Sequence, residues 1–251
     1  MRLLANLKTL LVMAVAVAGI ASRSDAGTFL FPSGLNPGDK YRLVFVTSTT
    51  TDATSPDINY YNSFVTNVAD AVPELLALHA TWTAIGSTSA VSAATNIGAT
   101  TSGIYRLDGL EVATGTAALF ATGTPTFVPL LNPPSINQLG DLEEEYVWTG
   151  SNPDGTAYVS LELGNTYQPY AWVGYSTNPS SVWIQSALAD PTFVGLPLYA
   201  ISSELTVGGA APEPTTIGLT ALGGAFLLLA LRRKQQNHMA TRTDRTPPAH
   251  H

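Results

Sequence analysis

Hydrophobic positions along the chain follow three patterns. Near each end runs an apolar block, Leu10 to Ile20 and Thr215 to Leu231. Between them, Ile58, Tyr61, Val65, Val68 and Val72 recur at spacings of three and four, which predicts one buried stripe on a helix. Ser55 can cap that helix, Pro56 suits its first turn, and Asp57 lies where the helix dipole favours an anion. Pro73 ends or kinks it, and "ELLALH" adds a further turn. The third pattern is short β-branched and aromatic runs. "YRLVFVTS" (41–48) is almost continuously apolar, as a central strand buried on both faces should be. "TWTAIGS" (81–87), "IYRLDGLEV" (104–112), "EYVWTG" (145–150), "TAYVSLEL" (156–163), "YAWVGY" (170–175) and "LYAISSELTV" (198–207) read as further strands. Asp108-Gly109 predicts a type I′ hairpin. Long Thr/Ser/Gly/Pro-rich connections, notably 88–103 and 121–140, then make 27–208 one loop-rich α+β domain without internal repeats.

The two end blocks read as addresses. Arg2 and Lys8 precede the first block, and Ser24 and Ala26 stand at −3 and −1 for cleavage after Ala26. Residues 1–26 therefore match a secretory signal peptide, with Gly19 and Ala21 as an earlier cleavage alternative. The 215–231 block, at ~1.5 Å per residue, covers about 25 Å as a single transmembrane helix. Arg232, Arg233 and Lys234 follow it and hold the basic 232–251 tail in the cytoplasm. The 209–214 linker carries Pro212, Glu213 and Pro214. This order of Pro-Glu-Pro motif, apolar span and basic cluster resembles the PEP-CTERM sorting signal of bacterial envelope proteins. The resemblance implies recognition by an exosortase, transient membrane anchoring, and cleavage near the prolines. Delivery to the cell surface or to the exopolysaccharide matrix of a biofilm would follow. Gln235 to His251 extends beyond the point where such signals usually end.

Charge sharpens this division. The 27–208 segment holds three basic residues, Lys40, Arg42 and Arg106, against fifteen acidic ones, a balance of −12. Such a body repels nucleic acid and anionic lipid. The chain has no cysteine, which excludes disulfides, thiol catalysis and cysteine-ligated metals. A segment of this length can bury an adequate core without staples.

The strand motifs, with Ala69-Asp70-Ala71, "YVWTGSNPDGT" and Trp183 among them, occur in an order that resembles bacterial surface domains of C-type-lectin-like fold, related to the endostatin module. That resemblance spans most of 41–207. It implies that the first and last strands pair, that the one main helix packs on them, and that a long loop region carries ligand contacts. The family's disulfides are absent here, as are its Glu-Pro-Asn and Trp-Asn-Asp calcium–sugar motifs. The fold alone therefore does not bring lectin activity with it.

Candidate chemistry is sparse. His79 is the one histidine of the domain; it follows Leu78 on an apolar stretch and reads as a structural residue. No Gly-x-Ser-x-Gly, Ser-x-x-Lys or His-Glu-x-x-His pattern occurs. Asp52, Asp57, Asp108 and Asp154 form the pool for an alternative function, an extracytoplasmic glycan hydrolase using paired carboxylates. Asp141, Glu143, Asn152 and Asp154 offer hard oxygen donors for calcium, although a solvated acidic loop and an Asn-Pro-Asp-Gly turn account for the same residues. Trp82 and Trp148 read as core. Trp172, flanked by Tyr170, Tyr175 and Tyr167, forms an aromatic cluster that can stack on sugar rings or dock a partner. The expected function is a non-enzymatic, structural or adhesive surface protein that binds a glycan or another protein; a calcium-dependent binder is a further alternative.

Overall fold

Strand β1 (Lys40–Val46) runs through the middle of the larger sheet, with all but its first residue buried. The computed structural model describes residues 32–120 and 129–208. The expected signal peptide (1–26), the Pro212-Glu213-Pro214 motif, the expected transmembrane span (215–231) and the 232–251 segment lie outside them. Among the described residues no helix is long and apolar enough to cross a membrane.

Six strands form the larger sheet. Its order is β2 (Trp82–Ala84), β8 (Tyr199–Ser202), β1, β3 (Gly103–Arg106) and β4 (Glu111–Ala113), with β9 (Leu205–Thr206) also on β1. β1 runs parallel to β3 and antiparallel to β8 and β9, so the first and last strands of the domain pair. Between the Val44–Ile201 and Tyr41–Leu205 pairs, two residues of β1 face three of the returning strand, a β-bulge. Side chains fill the interrupted ladder there. The Leu43 N–H donates to Ser202 Oγ (2.9 Å) and Arg42 Nε to Ser202 O (2.5 Å).

Alternation along β1 assigns its two faces. Val44 and Val46, with Ile201 and Tyr199 opposite them, join a core completed by Ile104, Val112, Phe120, Val147 and Trp183. Phe45 faces the other way and meets Trp82 edge-on at 5.0 Å. Helix α1 (Ile58–Asp70) covers that side and buries Ile58, Tyr61, Val65 and Ala69. Its cap is Asp57, whose side chain accepts from the Asn59 N–H, so Pro56 precedes the helix and Ser55 instead braces Asp57. Ala69 is fully buried, whereas Val68, expected on the buried stripe, is only partly so. A short helix α2 (Pro73–Leu76) follows.

α1 also closes the edge of the sheet. Among the described residues no strand pairs beyond β2, and the exposed groups are met by side chains: Asn62 Oδ1 accepts from the Ala84 N–H (2.9 Å), Asn96 Nδ2 donates to Ala84 O (2.8 Å) and Thr66 Oγ1 to Trp82 O (3.1 Å). Asn62 and Asn96 also exchange hydrogen bonds with each other. Asn96 sits in α3 (Ala93–Ile97), inside a connection expected to be irregular; α4 (Thr116–Leu119) is a second such helix.

A smaller antiparallel sheet joins β5 (Tyr146–Trp148), β6 (Ala171–Tyr175) and β7 (Ala187–Ala189). Trp148 bridges to Leu198, which ties this sheet to the larger one. Two expectations change. The β3–β4 hairpin forms, but Gly109 alone takes a positive φ (84°) and donates to Arg106 O, so a tight turn followed by a left-handed glycine replaces the type I′ loop. Residues 156–163 form no strand. Ser160, at a φ of 69°, breaks the extended run, and the segment becomes a loop pinned by single backbone bonds.

Candidate ligand-binding surface

The loop that replaces the expected 156–163 strand lies along β6. With β6 it holds two of the four buried side-chain polar atoms that lack partners among the described residues; the others are Trp82 Nε1 and Trp183 Nε1 in the core. The loop's anchors are backbone bonds from Tyr158 N–H to Gly150 O (3.1 Å), from Trp172 N–H to Leu161 O (2.9 Å) and from Leu163 N–H to Ser87 O (2.9 Å). Gly150 and Gly164 are required for this close approach. Each has a positive φ, and a Cβ on either would collide with neighbouring backbone, of Ser87 and Leu163 in one case and of Ser55 in the other.

Two polar groups at this locus are buried without hydrogen-bond partners, Trp172 Nε1 and Glu162 Oε2. Glu162 is only 6% exposed, an unusual position for a carboxylate with no cation beside it. Around them the surface is apolar and aromatic. Tyr158 tilts against Trp172 at 5.5 Å, Leu188 lies opposite Trp172 on β7 and is half exposed, and Val159 and Tyr167 project into solvent. Strain at Ser160, two orphaned buried polar atoms and exposed rings thus all fall on the stretch from residue 158 to residue 172. Glu162 was absent from the candidates drawn from sequence. Its signal was a lone carboxylate between Leu161 and Leu163, inside an apolar run.

The aromatic cluster expected around Trp172 divides. On β6, Trp172 and Tyr175 stand three residues apart and so face opposite sides of the sheet. Tyr175 pairs with Tyr146 across β5 at 5.2 Å, and its hydroxyl donates to Glu144 Oε1. Burial and the nearby Glu144 charge push the Tyr175 phenol up. Tyr170, just before the strand, is half exposed, and its carbonyl accepts from Asn165 Nδ2. Trp82, Trp148 and Trp183 are core residues, with the Trp148 indole donating to Thr51 O (2.9 Å).

No protein-family model matches the chain. Comparison with curated proteins likewise finds no match.

The expected calcium donors are not gathered. Glu143 accepts from Asn137 Nδ2 (2.6 Å), and the Asp141 N–H donates to Asn137 Oδ1, within one loop. Asn152 and Asp154 belong to a separate turn, where Asp154 Oδ1 accepts from both the N–H and the hydroxyl of Thr156. Among the described residues no three acidic or histidine side chains converge on one point. The hydrolase candidates are likewise held in local turns. Asp52 bonds Thr54, Asp57 caps α1, Asp108 pairs with Arg106, and Asp154 bonds Thr156. His79 is exposed, and its φ of 50° places it in the turn that ends α2 rather than in a core.

Proposed function

We propose that this chain is an exported surface protein, sorted by an exosortase, whose single C-type-lectin-like domain has a non-enzymatic adhesive or structural role. The observation that carries the reading is the pairing of Lys40 with Thr206. The first strand thus pairs with the last, so the chain enters and leaves the larger sheet at neighbouring positions. The Pro212-Glu213-Pro214 order, the apolar span and the Arg232-Arg233-Lys234 cluster support membrane delivery. Paired terminal strands, one covering helix and a second small sheet carrying a long loop support the lectin-like assignment. On that reading the loop at 156–170, with Trp172, Tyr158 and the orphaned Glu162 carboxylate, is the contact surface for a glycan or protein of the envelope.

Cell fractionation with terminal mass analysis tests the proposal. The envelope-associated protein should begin at Gly27 and end near Pro214, and a Pro212→Ala, Glu213→Ala variant should accumulate in the membrane with its C-terminus uncut. Recovery of the chain from the cytosol with both ends intact would overturn it.

A further inference from the structure

Helix α1 has two polar flanks with different duties. The flank beside β2 uses Asn62 and Thr66 to close the sheet edge. The flank turned away from the sheet is a ridge of Asn59, Ser63 and Asn67, at successive turns, with Tyr60 and Phe64 alongside. Among the described residues, the Ser63 and Asn67 side chains make no hydrogen bond, and Asn59 uses only its amide nitrogen, toward Asp57. Open depressions of about 590 and 350 Å³ lie on either side of this ridge, and both include Asn59, Ser63 and Asn67 in their walls. The Tyr60 ring is 42% exposed yet fixed, because its hydroxyl bonds Thr51 Oγ1 at 2.9 Å.

We propose that this ridge binds a neutral, hydroxyl-rich polysaccharide. Asn67 presents a donor and an acceptor side by side, which suits adjacent sugar hydroxyls, Asn59 keeps its carbonyl oxygen as an acceptor, and Tyr60 adds a rigid apolar surface beside them. The charge pattern selects the occupant. Asp57 is the one charged residue lining either depression, and its carboxylate is engaged in capping α1. A solvated helix face ordinarily carries Lys, Glu or Arg, which are good helix formers; this helix contains none of them. An anionic polymer would be repelled by a domain at −12, and a cationic one would be drawn to the acidic 141–145 run instead. This ridge shares no lining residue with the Trp172 loop and does not depend on how the protein is sorted.

Affinity electrophoresis of the purified full-length chain in detergent tests the assignment. The gels would contain a neutral glucan, mannan or galactan, with polygalacturonate and chitosan as the anionic and cationic arms. At least one neutral polymer should retard the protein. A Ser63→Arg, Asn67→Arg variant should melt as the parent does and bind about tenfold more weakly, a difference of about 1.4 kcal/mol, whereas Leu110→Ala, an exposed position at the opposite edge of the larger sheet, should leave this retardation unchanged. The proposal fails if none of the neutral polymers retards the chain, if retardation is confined to the charged arms, or if the double variant binds as well as the parent. Because the assay uses purified protein, its failure leaves the export reading standing. Cytosolic recovery of the uncut chain, conversely, leaves the ridge standing.

Discussion

Arg42 and Glu162 are both charged and both almost fully buried, at 5% and 6% exposure, yet their surroundings differ completely. Arg42 sits at the bulge of the larger sheet and donates from Nε to Ser202 O and from Nη1 to Ile97 O (2.8 Å). Burial lowers its pKa, and the Glu204 charge opposes that shift. Glu162 sits in the loop against the smaller sheet, and its Oε2 has no partner. Burial of a charge therefore does not by itself separate scaffold from site. Completeness of hydrogen bonding distinguishes these two charged groups, because an orphaned buried polar group is a cost that the fold alone has not offset, although the core indoles of Trp82 and Trp183 also lack partners.

Mutation can break or sharpen this contrast, and the largest effect should come from the completed side. Arg42→Met removes the guanidinium and strands two buried carbonyls, so denaturant unfolding should show a loss of about 3 kcal/mol. A loss below about 1 kcal/mol would mean that the bulge does not need its side-chain clamp.

Asn62→Ala should cost about 2 kcal/mol, since the Ala84 N–H loses its acceptor and Asn96 its partner. Light scattering should show more self-association as the β2 edge opens.

Asp108→Asn should cost about 1 kcal/mol at neutral pH, discounted for partial solvent exposure. Burial pushes the Asp108 carboxyl up, but the hydrogen bond and charge of Arg106 outweigh it and hold the carboxyl below its usual value. The folded-state pKa is thus depressed. The contribution is complete above the unfolded carboxylate range, about pH 4, and is lost as pH falls through the lower folded value. Melting curves of parent and variant should therefore converge in acid.

Glu162→Leu should have the smallest effect, within about 0.5 kcal/mol of the parent or slightly stabilising, because no partner is left behind. A loss as large as that of Arg42→Met would erase the distinction between the two regions.

The parts legible from sequence are those where one physical signal dominates. Continuous apolar character identified β1, and three-and-four spacing identified α1, because burial on two faces or on one stripe leaves little freedom in residue choice. β7 was invisible: Ala187-Leu188-Ala189 has neither β-branching nor alternation, and only its pairing with β6 makes it a strand. The 156–163 run misled in the opposite sense. Its apolar alternation was that of a strand, but Gly150, Gly164 and Ser160 allowed the backbone to loop instead. The candidate site was half visible. Trp172 could be named, but its separation from Tyr175 follows from strand parity, which needs the exact register. The orphaning of Glu162 depends on what does not surround it, and a linear sequence does not record that.

The bulge has a mechanical consequence. If the domain is held by its C-terminal end and pulled through a bound partner, load enters at Thr206 and strips residues inward. The two pairs of β9 would go first. The next obstacle is Ser202, gripped by a guanidinium rather than by backbone alone. Such a latch would oppose further peeling once four residues, roughly 13 Å of extended chain, have come away.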